Sequence, residues 1–209
     1  RRSSDLLNAS IDHHVRAGPL HIYGEWAIDH SRQWALTEGL MCSPGPRLDI
    51  VVQARSFSRG YACLHGSPFA ESVKAQNEVG VYLGMVWRIS STLNASGHVD
   101  RYRYSWLRYG VDGPSDGFDA LFRLDWRPTK TTLCYGQASW EDRPRDFPGT
   151  DPYLPGPASE GRFRARSHLE HAPSRFILLR LRAEYDRYQA RRVEQGFLGY
   201  ADLTSKSPS

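Results

Sequence analysis

From Ile177 to Asp186 the chain reads Ile-Leu-Leu-Arg-Leu-Arg-Ala-Glu-Tyr-Asp. Ile177, Leu179, Leu181, Ala183 and Tyr185 fall on one parity, and Arg180, Arg182, Glu184 and Asp186 on the other. Successive side chains of a strand point to opposite faces, so this stretch specifies a strand with one apolar and one charged face.

The same two-residue period recurs between Gly and Pro punctuation. It predicts about eleven strands, near residues 7–16, 20–29, 33–42, 47–58, 77–88, 96–106, 118–127, 131–140, 161–170, 175–186 and 194–204. Most run nine to twelve residues, where strands of soluble proteins average about 5–6 and a tilted strand crossing a bilayer needs about 9–11. The connections alternate in length. Ala17-Gly18-Pro19, Ser43-Pro44-Gly45-Pro46, Ile89 to Asn94, Pro128-Thr129-Lys130 and Ala172-Pro173-Ser174 are tight turns, whereas 59–76, 107–117 and 141–160 are long, polar and rich in Gly and Pro. His30 to Arg32 and Gln189 to Arg192 are short members of the second set. Short turns at one end and longer loops at the other are the signature of a transmembrane barrel.

The expectation is therefore an all-β fold: an antiparallel up-and-down transmembrane β-barrel, partial, of about 10–12 strands. Residues 1–209 make a single β-barrel domain. An odd strand number, an opening Arg1-Arg2-Ser3-Ser4 without Met, and a polar end at Ser205-Lys206-Ser207-Pro208-Ser209 lead us to expect the C-terminal part of a longer protein. No run of eighteen apolar residues exists, which excludes a transmembrane helix but is blind to membrane strands, so a mean hydropathy of −0.56 does not argue against a membrane. The competing architecture is a soluble antiparallel β-sandwich whose apolar face is an inner core, a binding module for sugar or protein.

Faces follow from the alternation. Lipid-facing positions are Val81, Leu83, Trp87, Phe122, Leu124, Trp126, Leu179 and Leu181. Lumen-lining positions are Glu25, Arg101, Arg103, Arg123, Asp125, Arg164, Arg166, Glu170, Arg180, Arg182 and Glu184. For 33–42 and 131–140 neither phase wins. Trp26, Trp87, Trp106, Trp126, Trp140, Tyr102 and Tyr104 lie near strand ends and suit interfacial girdles. The inward arginines form either an anion-preferring lumen or a network paired with Glu25, Asp125, Glu170 and Glu184.

A net charge of +4 would ordinarily raise nucleic acid or an anionic membrane surface as a partner, but here the arginines alternate along strands and do not cluster in one block, as a wetted barrel lumen requires. Cys42, Cys63 and Cys134 are odd in number and scattered, with neither disulfide nor metal-ligand spacing. His13-His14 is the one adjacent histidine pair, and adjacent strand residues face opposite ways, so one ring faces the lumen and the other the exterior. No metal or cofactor is expected.

The connection 59–76 is the main functional candidate, through Tyr61, His65, Ser67, Phe69 and Glu71. Ser67, Pro68 and Glu71 read as N-cap, first helical position and first-turn acid, predicting a short helix that can fold into the barrel mouth as a constriction; the alternative is a loop that simply packs on its neighbours through Phe69 and Tyr61. His65, Ser67 and Glu71 also hold the residue types of an acyl-transfer triad, the basis of an outer-membrane hydrolase reading. The spacing is not that of a nucleophile elbow, so no catalytic residue and no enzyme activity are expected.

Arg55-Ser56-Phe57-Ser58-Arg59-Gly60-Tyr61, Gly66-Ser67-Pro68-Phe69-Ala70-Glu71-Ser72 and Gln76-Asn77-Glu78-Val79-Gly80-Val81-Tyr82-Leu83-Gly84 make a distinctive block. Trp106-Leu107-Arg108-Tyr109, Pro114-Ser115-Asp116-Gly117, Gln195-Gly196-Phe197-Leu198 and Tyr200-Ala201-Asp202-Leu203 follow. Together they resemble a family of bacterial outer-membrane proteins with an N-terminal helix-hairpin-helix module and a long C-terminal barrel. The resemblance covers most of the chain and is specific only from Arg55 to Gly84. It implies a bacterial outer-membrane channel, import component or scaffold linked to DNA uptake, in contact with outer-membrane lipid and other envelope proteins. The module that contacts DNA is absent from these residues, so DNA is a partner only where that module is present. Oligomeric state is left open.

Overall fold

Alternation of this kind becomes eleven antiparallel strands. The computed structural model describes residues 7–63, 69–71, 75–146 and 157–205. In chain order the strands are β1 (Asn8–Ala17), β2 (Leu20–Asp29), β3 (Trp34–Gly45), β4 (Leu48–Phe57), β5 (Glu78–Arg88), β6 (Leu93–Tyr104), β7 (Ser115–Thr129), β8 (Thr132–Asp146), β9 (Pro157–Ser174), β10 (Ile177–Gln189) and β11 (Val193–Ser205). They form one sheet in sequence order, each strand bonded to the next, with β1 and β11 as its two edges. This is an all-β up-and-down sheet, open, a partial barrel; no helix occurs among the described residues. Strand β8 runs to Asp146 and β9 starts at Pro157, so much of the 141–160 loop expected from sequence is paired strand. Cross-strand bonds there outweigh the local Pro signal of Pro144, which sits within the ladder opposite Ser159.

One hydrogen-bonded row can be followed across all eleven strands: His13, Gly24, Glu38, Ala54, Val81, Arg101, Phe118, Asp142, Gly161, Gln189 and Val193. From this row β2 extends four residues to its tight turn at Leu20, whereas β10 extends twelve to Ile177. The turns thus drift by about one residue per strand. With a rise of about 3.3 Å per residue and a strand spacing of about 4.8 Å, that stagger tilts the strands by roughly 35°, the tilt of a closed barrel.

Partners in an antiparallel register share a face. Val79, Val81, Leu83, Met85 and Trp87 on β5 therefore share one face with Phe118, Phe122, Leu124 and Trp126 on β7 and with Leu179 and Leu181 on β10. This face is bare: Val81 is 52% exposed, Phe122 53% and Leu181 38%. The sandwich alternative is overturned here, since among the described residues a single sheet exists and no second layer stands opposite Leu124, Leu179 or Leu181.

Most aromatic residues of the apolar face fall in two bands that follow the same drift, with Phe122 midway between them. Phe118 is succeeded two positions on by the Trp140–Phe163 pair, and that by the Tyr185–Phe197 pair. Nearer the tight turns, Trp87 on β5 and Trp126 on β7 are likewise two positions apart. Phe118 and Trp126 are eight residues apart on β7, about 22 Å along the axis of a sheet tilted this way, close to the apolar band of about 25 Å in outer-membrane barrels. Tyr102 and Tyr104, expected in a girdle, are buried on the opposite face.

Candidate functional site

The polar face carries Arg55, and the register places Glu25, Arg123, Asp125, Arg164, Arg166, Glu170, Arg180, Arg182 and Glu184 on it. Arg101 and Arg103 do not belong there. Arg101 stands opposite Val81 and Phe118, and Arg103 opposite Val79 and Asp116, all on the apolar face. The physical reason is the phase of β6. Asp100, Tyr102 and Tyr104 are drawn inward by a buried cluster, and a one-residue shift sends every neighbour to the other side. The two strands left unassigned are now phased: Ala35, Thr37, Gly39 and Met41 join the polar face, as do Leu133, Tyr135, Gln137 and Ser139. His14 faces the polar side. His13 lies on the apolar side, where its Nε2 is 3.2 Å from Glu38 and the Trp26 indole N–H donates to Glu38 at 2.5 Å.

The centre of the site is Arg55. Its guanidinium is fully buried; Nε donates to Glu78 at 2.5 Å and Nη1 to Asp100 at 3.0 Å. Two carboxylates balance the charge of this buried cation and accept from its Nε and Nη1, and removing the cation would leave both uncompensated. Gly80 and Gly117 make the space. A β-carbon at Gly80 would lie 2.6 Å from Arg55 Cζ, and one at Gly117 would lie 2.2 Å from the Tyr102 ring.

Above this cluster lies the connection between β4 and β5. Its Phe69 ring sits over the Arg55 guanidinium at 5.1 Å and edge-on to Tyr82 at 5.3 Å, and its Glu71 backbone N–H donates to Glu78 at 3.1 Å. Tyr61 and Ala75 pack with Phe57 and Ala35, joined by Ala27, Cys63 and Ala70, in an apolar cluster built on the polar face. Ala27 and Ala35 are small, which leaves room for the loop to settle against the sheet. Asp29 fixes its base: Oδ1 accepts the N–H groups of Ser31 at 2.8 Å and Gln33 at 2.9 Å, while Oδ2 accepts that of Ala62 at 3.1 Å. At the far end Asn77, with φ of 56°, donates from Nδ2 to the Trp106 carbonyl at 2.9 Å. The described residues of the connection therefore turn in over the polar face and are tied down at both ends.

Of the loop candidates, Tyr61, Phe69 and Glu71 are brought to this cluster; His65 and Ser67, and with them the predicted helix start and the proposed triad, lie outside the described residues. Glu71 keeps one edge in solvent. Desolvation of its inner edge pushes its carboxyl above the usual range, and Asp100 and Glu78 repel it, while Arg55 and Arg143 pull the other way. Sequence reading missed Arg55, Glu78 and Asp100. The available signal was an ionisable residue inside the apolar run Ile50-Val51-Val52-Gln53-Ala54-Arg55, with Glu78 opening the next strand.

No protein-family profile matches the chain, and no curated protein does. Among solved structures the chain is similar to an anion-selective porin from Comamonas acidovorans, with a TM-score of 0.53 and 9% identity over 94% of this chain and 55% of that one. The sheet has a porin-like barrel fold. A NanC porin structure aligns with a TM-score of 0.38 and 9% identity, over 97% of this chain and 94% of that one. The chain spans about half the length of the first of these porins.

Beyond the loop, the polar face is a ladder of ion pairs. Arg166 Nε meets Glu184 at 2.9 Å, with Arg182 also reaching Glu184 at 3.6 Å. Arg180 pairs with Glu170 at 3.0 Å and Asp202 at 3.6 Å, Arg164 with Glu141 at 3.6 Å, and Arg162 with Asp186. Arg123 grips Asp125 at 2.8 Å and stacks on Tyr135 at 3.9 Å. Each of these pairs joins residues of one strand or of adjacent strands. The guanidinium groups therefore lie along the wall and do not reach across a bore. Partly exposed pairs of this kind contribute about 0–1 kcal/mol each, so their main effect is to cancel charge locally and hold the side chains down.

Proposed function

We propose that this chain forms the wall of a non-enzymatic channel in the bacterial outer membrane. The polar face lines the water path, the apolar face meets lipid, and the β4–β5 connection narrows the path from the loop end. The observation that carries this reading is the inward fold of that connection onto the polar face through Phe69 and Arg55. The cation on which that connection docks is fully buried and lies two residues from the loop end of β4, where a narrowing from that end would sit. The apolar face supports the membrane setting, because about 22 Å of largely apolar surface between two aromatic bands, interrupted by the His13–Glu38 pair, suits a bilayer and would aggregate in water. In this reading β1 and β11 pair with further strands, since an unpaired edge is not tolerated in lipid.

Recording from planar bilayers tests the proposal. Stepwise conductance on insertion is expected, with larger steps for Phe69→Ala. Protein that inserts and conducts nothing overturns it. The ion-pair ladder further supports a weakly selective path, because charge cancelled along the wall leaves little net field at the axis.

A further inference from the structure

The two arginines on the wrong side of β6 for a water-lined wall carry an inference of their own. Arg101 and Arg103 are both exposed on the apolar face. Among the described residues neither guanidinium has a carboxylate within ion-pair reach; Asp116, opposite Arg103 in the register, lies beyond it. This contrasts with Arg55, Arg123, Arg162, Arg164, Arg166, Arg180 and Arg182, each of which is paired. Height is the second observation. Arg101 shares a row with Phe118, the first member of the aromatic band at the loop end, and Arg103 is one residue short of the end of β6. Two outward cations therefore stand at and just above the aromatic band, where hydrocarbon gives way to headgroups.

Resting on the membrane reading above, we propose that Arg101 and Arg103 form a binding site for the phosphate of an anionic lipid headgroup in the leaflet at the loop end. Among the described residues no carboxylate pairs with either guanidinium, Asp116 across from Arg103 included, and a guanidinium presents a planar fork that matches phosphate oxygens. Residues i and i+2 of a strand point the same way, about 6.5 Å apart, close enough for one headgroup to engage both. Phe118 and Val81 beside Arg101 leave a smooth apolar wall for the acyl chains below.

The test uses the full-length protein in phosphatidylcholine vesicles with increasing phosphatidylglycerol, reading the thermal unfolding midpoint. Wild type is expected to gain stability at low phosphatidylglycerol content. Arg101→Gln/Arg103→Gln is expected to unfold at the wild-type midpoint in pure phosphatidylcholine and to need about ten-fold more anionic lipid for the same gain. Arg101→Lys/Arg103→Lys should recover only part of it, the charge without the planar fork. A double glutamine variant that responds like wild type overturns the proposal, as does an equal gain from inorganic phosphate in uncharged detergent, which would mark a site for a free anion. Wild type that fails to float with phosphatidylcholine vesicles sinks the membrane reading itself, a result distinct from either.

Discussion

Gly80 leaves the space that Arg55 fills: a β-carbon there would come within 2.6 Å of Cζ and 2.8 Å of Nη2. The guanidinium is pinned by Glu78 and Asp100, so it has nowhere to retreat. Gly80→Ala is therefore expected to push Arg55 off its partners and to destabilise the protein by about 1–3 kcal/mol, as overpacking does. A thermal or denaturant midpoint in detergent checks this, with Gly113→Ala, whose β-carbon meets nothing within 4 Å, as the control that leaves stability unchanged.

Phe69 is the loop's contact with that cluster, and its ring is still 44% exposed. Removing it widens the path without leaving a buried charge unpaired, because Arg55 keeps both carboxylates. Phe69→Ala should raise single-channel conductance by roughly 1.5-fold, since access at a constriction sets ion flow. Unchanged conductance would mean that the ring does not face the conducting path.

Glu71 makes the docking of the loop sensitive to acid. Its carboxyl pKa is raised in the docked loop, so the docked state holds more protons than the undocked one between the ordinary carboxylate value and the raised one. Docking is then weakest at neutral pH, strengthens as pH falls through the raised value, and gains nothing more from Glu71 below its ordinary one. Protease cleavage within residues 59–76 should be slower at mildly acidic than at neutral pH. Glu71→Gln should be protected at both.

Glu184 neutralises two arginines at once, at 2.9 Å from Arg166 and 3.6 Å from Arg182. Glu184→Gln leaves two cations with one carboxylate fewer on the polar face. Reversal potentials in a salt gradient should shift toward anions, by roughly two-fold in permeability ratio, while wild type discriminates weakly. A wild-type channel with strong preference for either sign would contradict the local cancellation of charge.

The strands were readable because a period of two survives tertiary context; apolar and charged residues alternate unbroken from Leu179 to Asp186 on β10, and on β7 Leu121 alone interrupts the alternation between Phe118 and Arg127. Strand β6 shows the limit. In Asp100-Arg101-Tyr102-Arg103-Tyr104 both parities carry polar groups, and charge alone favours the arginines as the wetted set. What decides is the pull of Arg55 on Asp100 across 45 positions of chain, together with Gly117 making room for Tyr102. Either an inward fold of the β4–β5 connection or a loop packing on its neighbours through Phe69 and Tyr61 was legible from its length and composition. Its anchors were not, since Phe69 over Arg55 and Asp29 under Ala62 are contacts between residues whose local patterns carry no trace of one another. Strand β8 outran its expected end for a related reason: Pro144 looks like a stop locally, yet cross-strand pairing continues past it to Asp146.

The central claim concerns which medium touches each face, and nitroxide accessibility measures it directly. In a background with Cys42, Cys63 and Cys134 replaced by serine, labels at Leu83, Phe122 and Leu181 are compared with labels at Tyr82, Arg123 and Arg180 in vesicles. The first three should relax readily with oxygen and poorly with a water-soluble nickel chelate, and the second three the reverse. Nickel access at Leu83, Phe122 and Leu181, or shielding of all three from both reagents, would contradict the account.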